Sequence, residues 1–534
     1  MLDIKITGGQ VVDGTGVPGR RADVGITGDA IAAIGDLAQE RAGRTIDAAG
    51  LTVAPGFIDM HSHSDWRLLG NRPAESKIRQ GVTTEVVGNC GFSPAPVTDE
   101  FREDMRGFAL YLPAGMDFSW RSMADYLRRY EDEGVALNVV QLVGHGTLRI
   151  AAMGFARRAP TARELATMER LMDESMAGGA AGLATGLIYA PGSYAATEEI
   201  IAIARRTAVG GGFYASHIRG EGATLLDAVG EAIRVGREGG LPVQISHIKA
   251  AGRPNWGRVD QALGLIDAAR AEGLDVMADA YPYTASSTSL RTLLPDWMLE
   301  GGVPAMLDRL GDAGVRARIR AEMSRGSAIL ARGLGWEDIM IASAPSRPEA
   351  EGRRLAEIAR AWGRDPLDAA IEILLAERGQ GSIILFQLDE TDLRRALVHP
   401  QVMIGSDGSS LAVDGEMGKG KPHPRSYGTF PRVLARYVRA ERLLTLEQAV
   451  MKMTGLPARR LGVRDRGVLA VGAKADIVGF DAMRVEDRAT YEEPHRYSAG
   501  IPYVLVNGRV VIEGGEHTGA LPGQVLKTRH ENLS

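Results

Sequence analysis

The chain is poor in cysteine, in surplus charge and in long apolar runs, and each shortage removes a class of protein. Its 534 residues include a single cysteine, Cys90. No internal disulfide framework and no cysteine-rich zinc module can form from it. The formal net charge is −5 and the pI about 6.1, a balance that does not favour nucleic acid or an anionic membrane surface as a partner. No stretch reaches the roughly 18 consecutive apolar residues of a membrane span. The opening Met1-Leu2-Asp3-Ile4-Lys5 has no basic-then-apolar leader. The expectation is a cytoplasmic protein whose partner is a small molecule, not nucleic acid or membrane.

What is present is ordinary for a globular enzyme: 45% hydrophobic and 24% charged residues. The 67 glycines are scattered without a period and mark many tight turns. The length exceeds what one small core needs and points to a large domain with a smaller one.

Both ends read as short strands. Asp3–Ile6, Gln10–Val12, Ala22–Ile26 and Ala30–Ile34 are extended-looking runs broken by Gly and Asp. At the far end come Val468–Val471, Ala475–Phe480 and then Val504–Val506 and Arg509–Ile512 around Asn507-Gly508, a strong hairpin signal. Residues 1–54 and 459–534 are therefore expected to build one small, sandwich-like β domain.

The middle, 55–458, alternates apolar strands with helical patterns. The strand candidates are Gly56–Met60, Val82–Gly88, Asn138–Gly144, Gly182–Gly186, Phe213–Ser216, Val243–Ser246, Asp275–Ala278 and Val402–Gly405. Helical patterns such as Ala162–Ala177, Leu225–Glu238 and Gln261–Glu272 lie between them. Eight such repeats predict an α/β protein, a closed TIM-type (β/α)₈ barrel. Ser382–Leu388 is a ninth candidate, assignable to an insertion. More than 100 residues separate Asp279 from Gln401, where a barrel step takes about 30. An insertion after the seventh strand, placed at 283–346, is expected to act as a lid.

Chemistry enters with Gly56-Phe57-Ile58-Asp59-Met60-His61-Ser62-His63. Residues two apart on a strand project together, so His61 and His63 offer a half-site for zinc. Alone, His-X-His is a weak signal. However, Tyr214-Ala215-Ser216-His217 and Gln244-Ile245-Ser246-His247 each end another strand in histidine, and Ile404-Gly405-Ser406-Asp407 ends one in aspartate. Four of only 10 histidines thus fall at strand ends. Cys90, in Gly88-Asn89-Cys90-Gly91, ends the second strand, and its thiolate would be a good zinc ligand. Zinc lowers the pKa of bound water towards ~7 and polarises a carbonyl. Asp407 is the candidate general base and acid.

These motifs resemble the amidohydrolase superfamily and, within it, the D-aminoacylase (N-acyl-D-amino-acid deacylase) family. The resemblance spans nearly the whole chain, through Ser216-His217-Ile218-Arg219, Ser246-His247-Ile248-Lys249, Ser406-Asp407-Gly408 and Gly472-Ala473-Lys474-Ala475-Asp476. It implies zinc-dependent hydrolysis of N-acyl-D-amino acids. A tight zinc would be held by Cys90, His217 and His247, and a second, weaker metal position would lie near His61, His63 and Asp407. The substrate carboxylate would meet Lys249 and Arg425, with a tyrosine and serine drawn from Tyr281 with Ser287 or Tyr283 with Ser289; Tyr281 with Ser287 is preferred. One departure stands out. Between Asp407 and Arg425 the family's stretch is short and rich in histidine, whereas here it is longer and is expected to line the pocket mouth. His145, at the end of the third strand, is left out of the site. Rival readings are a cyclic-amide hydrolase or dipeptidase on the same scaffold, or a non-catalytic barrel.

Overall fold

The computed structural model describes residues 1–109, 116, 118–324 and 333–528. Its centre is one parallel sheet of eight strands in chain order. They are β1 (Phe57–Asp59), β2 (Val82–Val87), β3 (Asn138–Gly144), β4 (Gly182–Gly186), β5 (Phe213–His217), β6 (Val243–Ile245), β7 (Val276–Ala280) and β8 (Val402–Ile404). Every residue of these strands is buried. Strands covered on both sides need near-continuous apolar sequence, which is why these runs were legible. Helices supply the outer layer. Ala162–Ala177 starts at a capping box of Thr161 and Glu164 and turns Met168, Leu171 and Met172 inward. Leu225–Gly239 stops at Gly240, in the left-handed region.

Closure between β8 and β1 occurs just past the strands, at their C-terminal ends. Asp407 N donates to His61 O at 2.7 Å and His63 N to Gly408 O at 2.8 Å, with a parallel bridge between Ser62 and Gly408. The last bonds of the barrel are therefore made by the backbones of the candidate metal ligands.

Two further sheets are built from the chain ends. One is four-stranded, from segments within residues 2–47; the other is seven-stranded and joins Gln10–Val11, Arg20–Arg21 and Thr52–Pro55 to Glu516–His517, Arg509–Glu513, Tyr503–Val506 and Ile477–Phe480 where Thr52–Pro55 pairs with Ile477–Phe480. Ile6, Val24, Ile46, Leu469, Ile477 and Leu505 share one apolar cluster. Asn507 and Gly508 both have positive φ, 48° and 73°, as a two-residue type I′ hairpin turn requires. Val468–Val471, read as extended, is a turn region instead. Gly467 and Gly472 bound it with φ of 78° and 90°, and this bends the run while Leu469 stays buried.

After β7 the chain builds a lobe with its own three-stranded antiparallel sheet, Ser286–Ser289, Ser382–Leu385 and Ile339–Ser343. Ser382–Leu385 is the central strand of this lobe, so the ninth strand candidate lies outside the barrel. The lobe's apolar core runs from Leu290 through Ile358 and Leu374 to Leu385, past the 283–346 span read from sequence. Among the described residues no helix is long and apolar enough to cross a membrane.

Candidate metal centre

At the C-terminal mouth, five strand ends bring their side chains together. Cys90 Sγ lies 3.4 Å from His61 Nε2, 3.4 Å from His247 Nε2 and 3.7 Å from His217 Nδ1. Asp407 Oδ1 lies 3.1 Å from His63 Nε2 and 3.6 Å from His61 Nε2. Three overlapping sets have ligand atoms close enough to share an ion: His61 with Cys90 and His247, His61 with His63 and Asp407, and His217 with Glu221 and His247.

The backbone is shaped for this convergence. Cys90, His247 and Asp407 have φ of 55°, 37° and 51°, a region that L side chains enter at a cost of about 1–3 kcal/mol each. Such strain persists only where its surroundings hold it. Gly88 and Gly91, both at φ 82°, carry the chain into and out of Cys90. A side chain at Gly88 would stand 2.2 Å from Leu142 O on β3. Asp407 is set from behind by Asp59, whose Oδ1 accepts from Ser406 N at 2.8 Å and whose Oδ2 meets Lys77 Nζ at 2.6 Å. Lys77 also faces Glu85 at 3.2 Å, so a fully buried ion network anchors the end of β8.

The electrostatics fit a divalent cation. Burial pushes the Cys90 thiol well above its ordinary value and Asp407 adds to this; a cation among these groups reverses that balance and makes the thiolate a ligand. Burial, with the neighbouring His247 and Lys249, holds His217 well below its ordinary value, so it stands as a neutral imidazole ready to ligate. Its Nε2 is buried without a hydrogen-bond partner. Burial opposes the charge on Asp407, but Arg425, His247, His63 and His61 outweigh it and hold the carboxyl well below the usual range. Soft thiolate, imidazoles and a carboxylate together are the donor set zinc takes.

Beside the cluster lies a cationic corner. Arg425 Nη1 is 2.8 Å from Asp407 Oδ2, and its Nη2 donates to Ser287 O at 3.2 Å. Lys249 Nζ is turned to Glu221 and to His247, whose Nδ1 and carbonyl oxygen are each 2.7 Å away. The Tyr281 ring sits between the two cations, 5.0 Å from Arg425 and 5.7 Å from Lys249, and its hydroxyl is buried without a partner. Tyr283 packs against Arg432, and Ser289 bonds to Arg291. Arg425 thus touches both the Tyr281 ring and the Ser287 carbonyl. His145 is tied to Glu199 at 2.9 Å, and Glu199 in turn to Arg149.

Sequence reasoning passed over Glu221 and Asp279. Glu221 reaches both His217 (3.5 Å) and His247 (3.3 Å); its only signal was its place four residues after His217. Asp279, near the end of β7, accepts from His247 N and Gln244 Nε2, both at 2.8 Å, and stands 3.4 Å from His61 Nδ1. The cavity beside the cluster is walled by residues 188–193, 219–224 and 289–299, not by 408–424. That stretch instead folds back: Ser409 Oγ donates to His63 O, Ser410 N to Ser64 Oγ and Leu411 N to Ser76 Oγ.

Comparison with known proteins gives concordant matches. A family model described as an amidohydrolase family matches residues 44–512. The N-acyl-D-glutamate deacylase of Alcaligenes xylosoxydans xylosoxydans is 43% identical over 98% of this chain and 96% of its own length. The D-aminoacylase of the same organism is 42% identical over 98% and 97%. The solved structure of N-acyl-D-glutamate deacylase from Bordetella bronchiseptica, complexed with zinc and a phosphonate mimic of the tetrahedral intermediate, is 38% identical. It covers 99% of this chain and 100% of its own, with a TM-score of 0.83.

Proposed function

The chain belongs to the amidohydrolase family, and from that premise we propose that it hydrolyses the amide bond of N-acyl-D-amino acids, using zinc, to a carboxylate and a free D-amino acid. The observation that carries the reading is the pairing of a thiolate–imidazole–carboxylate cluster with a two-cation corner about Tyr281. The first suits water activation and the second suits an amino-acid carboxylate.

Cys90, His217 and His247 would hold the tight zinc, and His61, His63 and Asp407 a second position. Zinc bound there supplies a Lewis acid for the scissile carbonyl and lowers the pKa of water. Arg425, Lys249, the Tyr281 hydroxyl and Ser287 orient the substrate α-carboxylate; the planar guanidinium suits bidentate recognition. Asp407 takes a proton from the attacking water as its oxygen bonds to the carbonyl carbon. It returns that proton to the amide nitrogen as the C–N bond breaks, so one carboxylate serves as base and then acid. The left-handed backbone at Asp407 aims this carboxylate across the mouth towards the histidines, preorganising the transfer.

Chiral analysis of products from racemic N-acetyl amino acids, with zinc supplied, tests the reading. Release of D-amino acids alone is expected. Release of both enantiomers, or turnover only of cyclic amides or dipeptides, would displace it.

A further inference from the structure

His217 and His247 each have one ring nitrogen turned into the cluster and one turned out of it. His217 Nδ1 lies 3.7 Å from Cys90 Sγ, and His247 Nε2 lies 3.4 Å from it. The opposite nitrogens, His217 Nε2 and His247 Nδ1, face a single atom, Glu221 Oε1, at 3.5 and 3.3 Å. The thiol thus stands on one side of the pair of rings and the carboxylate on the other. His217 is 5% exposed, His247 2% and Glu221 4%, so bulk water does not stand in for that carboxylate.

The loop that carries Glu221 is fixed. Ala251 N donates to Glu221 O at 2.6 Å, which ties the end of β5 to the segment that follows Lys249. A side chain at the preceding Gly220 would stand 2.0 Å from Thr224 Oγ1.

The Glu221 side of the rings already holds a cation. Lys249 Nζ contacts Glu221 and lies 2.7 Å from both Nδ1 and the carbonyl oxygen of His247. A metal ion among His217, Glu221 and His247 would sit against this ammonium, and like charges repel strongly in a buried site. That set of donors is therefore the outer face of the cluster around Cys90, not a separate ion site.

A neutral imidazole carries one proton and one lone pair. A cation on the Cys90 side uses the lone pairs of His217 Nδ1 and His247 Nε2, which leaves the protons on the two nitrogens that face Glu221. A carboxylate accepting such protons fixes the tautomer and the orientation of metal-bound histidines. Lys249 then keeps Glu221 and the His247 carbonyl as its acceptors.

We propose that Glu221 is the positioning residue of the tight zinc site: its one carboxylate holds both His217 and His247 in the ligating tautomer and restrains Lys249 as well. This rests on the zinc-dependent deacylase reading. Because Lys249 is shared, a substrate carboxylate reaches it only in competition with Glu221. Removing the charge of Glu221 therefore weakens the metal site while it strengthens substrate binding.

Glu221→Gln keeps the side-chain volume and removes the charge. Zinc affinity, read by competition with a chelator on the full chain, should fall ~10–100-fold. With zinc saturating, kcat for an N-acetyl-D-amino acid should fall and KM should fall with it. Glu199→Gln takes a comparable buried carboxylate from His145, 2.9 Å away, and should leave zinc affinity unchanged. A second measurement needs no variant. The chain has 10 histidines, few enough to resolve in nitrogen-15 spectra of histidine-labelled, zinc-loaded protein. His217 should carry its proton on Nε2 and His247 on Nδ1. Wild-type zinc affinity in Glu221→Gln would overturn the proposal, as would an equal zinc loss in Glu199→Gln, a raised KM with unchanged kcat, or the opposite tautomer at either histidine. A wild-type chain that binds no zinc would instead remove the reading on which the proposal stands.

Discussion

Replacing Asp407 by Asn separates the chemistry of this site from its architecture. The amide is isosteric, keeps a hydrogen bond for His63, and leaves Cys90, His217 and His247 to hold zinc. Two losses follow, with different sizes and readouts. Removing a proton carrier costs ~10²–10⁴ in rate, about 3–5.5 kcal/mol of barrier. Removing the charge also strands Arg425, which is 4% exposed and 2.8 Å from Asp407 Oδ2; breaking one side of a buried pair costs ~3–5 kcal/mol of stability. The second loss, unlike the first, should be largely repaired by adding Arg425→Met, which removes the stranded cation. The assays are turnover of an N-acetyl-D-amino acid, zinc per chain by elemental analysis, and Tm. Turnover within tenfold of wild type would refute the proton-carrier role. Loss of zinc would make Asp407 a required ligand instead. An unchanged Tm in Asp407→Asn, or no recovery in the double variant, would refute the buried-pair argument.

Other consequences are as direct. Cys90→Ala should leave less than one zinc per chain after dialysis, and full retention would remove Cys90 from the ligand set. Gly88→Ala places a Cβ 2.2 Å from Leu142 O at φ 82°; it should lower stability by at least ~1–3 kcal/mol and weaken zinc binding together, whereas zinc affinity equal to wild type would show that the turn does not position Cys90. Lys452 donates to Val402 O at 2.8 Å, and burial pushes it down to about 8 from 10.5. The unfolded chain therefore binds more protons between those values, and stability should rise with pH across that window by up to about 3 kcal/mol. The Tm of wild type should gain on that of Lys452→Met between pH 8 and 10.5, and parallel profiles would contradict this.

Much of this was legible because both strands and ligands leave local marks. Strands buried on both faces must be apolar along their length, so β3 and β4 could be read at their observed bounds. Histidine and aspartate at the ends of such runs are conspicuous because apolar strands rarely stop in them. What escaped notice was what only three dimensions assemble. Glu221 sits in a loop whose sequence says nothing of its burial, and Asp279 reads as one polar residue in a strand until His247 N is found on it. The cavity walled by residues 188–193, 219–224 and 289–299 went unread because its wall comes from segments distant in sequence. Leu411 and its neighbours turn back onto Ser64 and Ser76, while Arg291 arrives from a lobe inserted after β7. The extent of that lobe was obscured for a similar reason: Ser382–Leu385 has a barrel strand's composition and only its antiparallel partners reveal its place.

The seam between β8 and β1 has a further consequence. The bonds that shut it, Asp407 N to His61 O and His63 N to Gly408 O, belong to the same residues whose side chains form one of the ion-holding sets. An ion gripped by those side chains clamps the two ends of the barrel to each other. Metal occupancy at that set is thereby coupled to whether the ring is shut, since before β8 meets β1 the chain offers only the His61 and His63 half of it.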